Sequence, residues 1–89
     1  MAVVTLRAPL RGLADGNAKL ELEGATVGEV LRELERAYPR TTGWVLDEQG
    51  RVRRHVNVFV NGERTGEDAP LAPDDVVHVL PSISGGDGR

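Results

Sequence analysis

In four stretches of the chain, apolar residues recur at every second position, which is the pattern of β-strands that bury one face. These stretches are residues 2–10, 19–23, 55–60 and 76–80. The first is also rich in β-branched residues, which favour strands. In the last, Val77 and Val79 share one phase and His78 takes the other. The pattern predicts strands that each turn one side to a core.

Between the second and third of these stretches the apolar spacing becomes helical. Thr26 and Glu29 form the T-x-x-E capping box of a helix start, and Pro39 ends the helix because the residue before a proline is pushed out of the α region. The apolar residues between these points lie on one stripe: Val27, Val30, Leu31, Leu34 and Tyr38. The sequence therefore predicts one amphipathic helix.

Turn signals divide the rest of the chain. Asp15-Gly16-Asn17 predicts a turn between the first two strands, and Asn61-Gly62 predicts a hairpin whose short return strand is residues 63–65. Residues 40–54 are expected to form a loop. We expect that loop to fold back onto the body through three apolar residues, Trp44, Val45 and Leu46.

The order of elements is strand, strand, helix, strand, short strand, strand. It predicts an α+β fold in which a mixed sheet of four to five strands packs on one main helix. The β-grasp fold of ubiquitin has this order, with its last strand parallel to its first. We assign residues 1–81 to this domain and residues 82–89, which contain a Gly-Gly pair, to a flexible C-terminal tail.

Composition narrows the range of functions. The 89 residues include no cysteine, which excludes a thiolate zinc site and a cysteine nucleophile. A net charge of −3 and only three aromatic residues argue against nucleic acid as a partner. No apolar run is long enough to span a membrane, and we expect a cytoplasmic protein. The sequence shows no nucleophile with a paired base and no glycine-rich phosphate loop, so it does not indicate an enzyme.

Three stretches carry a resemblance to a known family. They are residues 24–31 (GATVGEVL), residues 56–63 (VNVFVNGE) and residues 75–86 (DVVHVLPSISGG). In this order and on these element types, they resemble the ThiS/MoaD ubiquitin-like sulfur carriers. The similarity extends over the chain as far as Gly86.

The resemblance implies a protein co-substrate rather than an enzyme. Its reactive group is the carboxyl group of Gly86, which an adenylyltransferase like the ubiquitin-activating enzymes would adenylate with ATP. Sulfur transfer then gives a thiocarboxylate, which a sulfur-accepting synthase consumes. The carrier itself binds no cofactor. Adenylation is needed because a carboxylate is a poor electrophile, whereas the mixed anhydride has a good leaving group.

Asp87-Gly88-Arg89 depart from the family pattern, which ends at the second glycine. With these residues attached, Gly86 has no free carboxylate. The hypothesis is that a zinc metalloprotease of the JAMM type removes them, as it does in some extended relatives. The alternative is that the three residues have no role or that the carrier activity has been lost.

The partner-binding residues that we predict are Gly85, Ile83 and Phe59. Ile83 has no obvious core to enter and suits a groove on the partner. Phe59 takes the non-core phase of its strand, so it is either a docking residue on an open sheet face or a buried residue whose phase is misjudged. We expect no metal site, because His55 and His78 are more simply read as solvated strand residues.

The pathway is open between two possibilities. The long loop at 40–54 resembles both the molybdopterin-synthase small subunits and the cysteine-biosynthesis carriers, rather than the shorter thiamine carriers. The stretch at 53–61 and the Leu80-Pro81 ending favour the cysteine-biosynthesis type, with the molybdopterin type second. A function from another class is a non-catalytic ubiquitin-like interaction module or protein modifier. A modifier would end in an isopeptide bond to a lysine, whereas an interaction module needs no free Gly86 carboxylate.

Overall fold

The computed structural model describes residues 1–81, and its elements follow the predicted order. The strands are β1 (Ala2–Leu6), β2 (Lys19–Leu22), β3 (Val56–Val60), β4 (Glu63–Thr65) and β5 (Val76–Pro81). The helices are α1 (Leu10–Leu13) and α2 (Val27–Ala37), and a 3-10 turn, Pro39–Thr41, follows α2. Gly85, Gly86 and Ile83, like the tail at 82–89, lie outside the described residues.

The five strands form one mixed sheet in the order β2-β1-β5-β3-β4. β1 and β5 are parallel, with Leu6 opposite Val79, and the other pairs are antiparallel. With α2 as the one long helix, this is the predicted β-grasp architecture, and the predicted parallel pairing of the last strand with the first is confirmed.

The core lies between one face of the sheet and α2. The helix contributes four fully buried residues: Val27, Val30, Leu31 and Leu34. The two central strands contribute Val4, Val77 and Val79, which are also fully buried. Removing each such side chain from water contributes about 1.5–3 kcal/mol, so the aliphatic stripe predicted from the sequence is what joins the helix to the sheet.

The start of α2 follows the predicted capping box. The backbone N–H of Glu29 donates to Thr26 Oγ1 at 3.2 Å, and the backbone N–H of Ala25 donates to Glu29 Oε1 at 2.8 Å. Two N–H groups at the helix start, where no intrahelical acceptor exists, are thereby satisfied. The helix ends at Ala37, just before Tyr38 and Pro39, as expected.

The first strand is shorter than predicted. β1 ends at Leu6, and residues 7–10 leave the sheet rather than continuing the strand to Leu10. Pro9 has no N–H for a strand ladder, so the strand cannot pass through it. Leu10 instead begins the short helix α1 and is fully buried. The apolar residue was correctly assigned to the core but wrongly to a strand.

The prediction for the loop at 40–54 is correct for two of its three apolar residues. Val45 and Leu46 are buried, but the side chain of Trp44 is 44% exposed. Gly43 has φ +87°, and the chain turns there so that Trp44 faces away from the core that Val45 enters. A bridge between Leu46 and Val52 closes the loop.

Candidate partner-binding site at the base of the tail

The tail leaves the body from β5, which lies in the middle of the sheet. Val77 and Val79 fix this strand by their burial, and its last residue, Pro81, is still paired with Val56 of β3. The strand is bonded on one side to β1 and on the other to β3. The residues that precede the Gly-Gly pair are therefore held rigidly as far as position 81.

The other side of β5 faces away from the helix. His78 and Leu80 lie on this open face, together with Phe59, which is opposite His78 in the register of β3 and β5. Arg7, Phe59, Gly62, His78 and Leu80 line a shallow depression of about 280 Å³. Half-buried apolar side chains on a sheet face that no other element within residues 1–81 covers are suited to contacting another protein.

The structure decides the phase of Phe59. Its neighbours Val58 and Val56 are buried, whereas Phe59 is half-buried on the opposite face. The non-core phase predicted from the sequence is confirmed, and a misjudged phase is excluded. The companions of Phe59 in the depression, Arg7 and Leu80, could have been found only from the register, because they come from two other parts of the chain.

The imidazole of His78 has a defined partner. Its Nδ1 lies 2.6 Å from Thr5 Oγ1 on the neighbouring strand β1. His55 is exposed and immediately precedes β3. Across residues 1–81, no three His, Asp or Glu side chains come together in a cluster that could hold a metal ion. The hydrogen bond gives His78 a structural role on the open face.

A network of polar groups holds the end of the sheet opposite the tail. Asn61 Nδ2 donates to Asp75 Oδ1 at 3.0 Å, and the backbone N–H of Ala72 donates to Asp75 Oδ2 at 2.8 Å. These two hydrogen bonds lower the pKa of the Asp75 carboxyl group. Asn61 Oδ1 accepts from the N–H of Val76 at 3.1 Å, so the β3–β4 turn is joined to the start of β5.

A second carboxylate fixes the loop at 40–54. Glu67 Oε1 accepts a hydrogen bond from the backbone N–H of Val52 at 2.9 Å, and this bond is the main cause of the lowered pKa of Glu67. The backbone oxygen of Glu67 also accepts from the N–H of Gly28, in the first turn of α2. The carboxylates of Asp75 and Glu67 thus support the fold, and their contacts are not those of an acid–base pair.

No helix of the described part of the chain is long and apolar enough to cross a bilayer.

A small β-grasp domain whose last strand lies at the centre of the sheet, parallel to the first strand, is the fold of the ubiquitin-like proteins. The sequence profile of the ThiS family matches residues 4–86, and the chain belongs to that family. As in the rest of the family, it is a small carrier-type protein and not itself a catalyst.

The named relatives include both a protein modifier and a sulfur carrier. The chain is 41% identical to small archaeal modifier protein 3 of Haloferax volcanii over 68 residues, which is 72% of this chain and 73% of the relative. It is 32% identical to the sulfur carrier protein CysO of Mycobacterium tuberculosis over 91 residues, covering 93% of this chain and 98% of the relative.

A solved structure shows a similar protein with a partner. The crystal structure of the BexX/CysO complex of Amycolatopsis orientalis contains a chain that superimposes with a TM-score of 0.86 at 28% identity, covering 97% of this chain and 100% of that one. A protein similar to this chain thus forms a complex with a second protein.

Proposed function

We propose that the chain is a sulfur carrier whose reactive group is the carboxyl group of Gly86. The observation that carries the proposal is that the family profile extends to residue 86, the second glycine of the pair. The rigid end of β5 at Pro81 supports it, since a short glycine peptide beyond a fixed base can enter a narrow active site.

The first step releases the carboxyl group. A metalloprotease of the JAMM type hydrolyses the bond between Gly86 and Asp87, with water supplying the new carboxylate oxygen and the amine proton. The Gly86 carboxylate then attacks the α-phosphorus of ATP on an adenylyltransferase, and pyrophosphate leaves. A hydrosulfide equivalent displaces AMP from the acyl adenylate, which leaves the thiocarboxylate for a sulfur-accepting synthase.

The partners would contact the carrier at its tail and at its open sheet face. Gly85 and Gly86 enter the active site, because they have no Cβ to obstruct the channel. Ile83 and Phe59 supply apolar contacts outside it. The similarity to CysO over nearly the whole chain favours a pathway of the cysteine type, with molybdopterin synthesis second.

The test uses a chain that ends at Gly86, together with the adenylyltransferase and the sulfur donor of the host. We expect exchange of pyrophosphate into ATP that depends on the carrier, and an intact mass that rises by the difference between sulfur and oxygen. A chain that ends at Gly85 is the matched control. Absence of both signals with the Gly86 form contradicts the proposal.

Protein modification is the second candidate, and the 41% identity to a small archaeal modifier protein favours it. The same acyl adenylate would then be transferred to a lysine amine of a target protein, which forms an amide bond and expels AMP. Denaturing gels of host extracts, probed for the chain, together with the intact mass of the free chain, distinguish the two functions. A ladder of larger species that requires Gly86 indicates modification, and a single free species with the sulfur mass indicates a carrier.

A further inference from the structure

The two ends of the sheet carry opposite charge. At the end from which the tail leaves, most of the exposed charged side chains are cationic, and we call this set the basic collar: Arg7, Arg11, Lys19, Arg40 and Arg54. Asp15, which lies 3.5 Å from Arg40, is an acidic residue at the same end. Since the whole chain has a net charge of −3, the collar is a local concentration of positive charge.

Strand pairing places the collar around the base of the tail. Leu6 is opposite Val79, so Arg7 follows β1 beside the end of β5. Val56 is opposite Pro81, so Arg54 precedes β3 on the other side of β5. Lys19 is paired with Thr5 near the end of β1, and Arg40 Nη2 donates to the carbonyl of Gly12 in α1 at 3.2 Å.

Acidic residues gather at the opposite end. Glu23 follows β2, Glu63 begins β4, and Asp74 and Asp75 precede β5. The pairings of Ala2 with Leu22, of Val60 with Glu63 and of Val3 with Val76 place these carboxylates together, far from the collar along the strands. The charge is therefore separated along the direction in which the tail points out of the sheet.

Because the tail is short, the collar must lie close to any protein that binds Gly86 in its active site. Gly86 is five positions beyond Pro81 in the chain, and an extended chain spans roughly 3.3–3.6 Å per residue, or about 17 Å over this length. When Gly86 reaches a reacting group inside the partner, the base of the tail must lie within that distance of it. The collar then faces the rim of the channel through which the tail enters.

We propose that the basic collar docks on an acidic rim around the tail-binding channel of the adenylating partner, an inference that rests on the proposed function. Complementary charge accelerates association and orients the partners before contact. The acidic far end adds to this orientation, because the same rim repels a carrier that approaches with its tail pointing away.

An acidic protein surface fits the collar better than a nucleic acid does. A phosphate backbone would meet a molecule that is net negative and whose other end is acidic. A rim that surrounds a channel contacts only the tail end and leaves the acidic end in solvent. The geometry therefore favours a local protein contact over an extended polyanion.

The experiment measures kcat/KM for the carrier in pyrophosphate exchange, with chains that end at Gly86. This truncation leaves residues 1–81, which contain the whole sheet and core, unchanged. We compare Arg54→Glu and Lys19→Glu with Arg32→Glu, a matched charge reversal at an exposed arginine of α2. Each variant is first checked for an unchanged thermal transition.

We expect each collar variant to lower kcat/KM about fivefold through KM at low salt, and Arg32→Glu to lower it less than about twofold. At high ionic strength the difference should nearly vanish, because exposed charges are screened. If Arg54→Glu and Arg32→Glu have equal effects while the parent chain is fully active, the docking role of the basic collar is overturned and the proposed function stands. A parent chain that supports no exchange overturns the proposed function and the inference together.

A nucleic acid would give a different result in a parallel binding experiment with a short single-stranded RNA. Salt-dependent binding that Arg54→Glu abolishes, with no change in pyrophosphate exchange, overturns the assignment of the collar to a protein rim. Failure of the parent chain to bind the RNA, together with the expected loss of exchange in the collar variants, supports it.

Discussion

At the scale of single residues, Gly24 shows how closely the backbone after β2 approaches the helix. A Cβ at this position would lie 2.7 Å from both Val30 Cγ2 and Val30 N, closer than carbon atoms pack. The absence of a side chain at Gly24 therefore lets the strand connection cross the first turn of α2. Gly12 in α1 has nothing within 4 Å of the same position.

We expect Gly24→Ala to lower the free energy of unfolding by about 1–3 kcal/mol, because the added methyl group forces the backbone off Val30. Gly12→Ala is the control and should leave stability unchanged or slightly higher, since alanine favours a helix. Urea denaturation of the three proteins measures both effects. Equal stability of the two variants would contradict this account of Gly24.

Asp75 gives the fold a dependence on pH. Hydrogen bonds from Asn61 and Ala72 lower the pKa of its carboxyl group in the folded protein below the value in the unfolded chain, about 3.9. The stabilisation is therefore complete above that pH and is lost as the pH falls through the folded pKa. Acidification should weaken the connection between the β3–β4 turn and β5.

We expect Asp75→Asn to have a lower Tm than the parent protein at pH 7, and we expect this difference to shrink as the pH falls through the lowered pKa of the Asp75 carboxyl group in the folded parent protein. Asp74→Asn is the control, because the Asp74 side chain makes no hydrogen bond or ion pair with residues 1–81. A Tm difference for Asp75→Asn that stays constant with pH would show that the charge is irrelevant.

At the scale of elements, α2 depends on a side-chain cap at its start. Replacing Thr26 by alanine removes the acceptor for the N–H of Glu29, and we expect a loss of about 1 kcal/mol. Thr42→Ala, at an exposed position in the following loop, should change stability by less than about 0.5 kcal/mol. Thermal unfolding distinguishes the two, and a cap variant as stable as the loop variant refutes the assignment.

The elements that were predicted correctly are those determined by residues close together in the sequence. The capping box and the aliphatic stripe determine α2, and Asn61-Gly62 adopt the positive φ values of 51° and 91° that a tight hairpin requires. The segment at 7–10 was mispredicted because its apolar residues fit a strand as well as a turn of helix. Only the three-dimensional fold shows that Leu10 reaches the core from α1.

At the scale of the whole molecule, the sequence alone does not specify which strands meet. Neither Arg7 nor Leu80 has a sequence feature that connects it to Phe59, and the basic collar is made of residues scattered from position 7 to position 54. Both surfaces arise from the pairing of β5 with β1 and β3. A sequence motif is enough to single out the Gly-Gly pair as the candidate reactive end, whereas the surfaces around the base of the tail become visible only in the fold.

Substitutions at two neighbouring residues of β3 should have different effects, because Phe59 lies on the open face of the sheet and Val58 on the core face. Phe59→Ala should change stability little and weaken binding of the adenylyltransferase several-fold, because Phe59 lies outside the core. Val58→Ala, on the buried face, should cost about 2 kcal/mol of stability. Denaturation and a binding titration on both variants provide the test, and unchanged binding by a folded Phe59→Ala protein removes the open face from the docking surface.

The position of β5 also affects the order of events during synthesis. β5 is made last of the five strands, yet it fills the gap between β1 and β3 at the centre of the sheet. Until it has emerged from the ribosome, two halves of the sheet have no strand to join them. A chain truncated before Val76 lacks β5, so we expect it to be left unfolded and open to proteolysis, while a chain that has reached the glycines already contains all five strands of the described sheet. In this protein the last strand to be made completes the sheet, so folding cannot finish before the strand that carries the C-terminal tail exists.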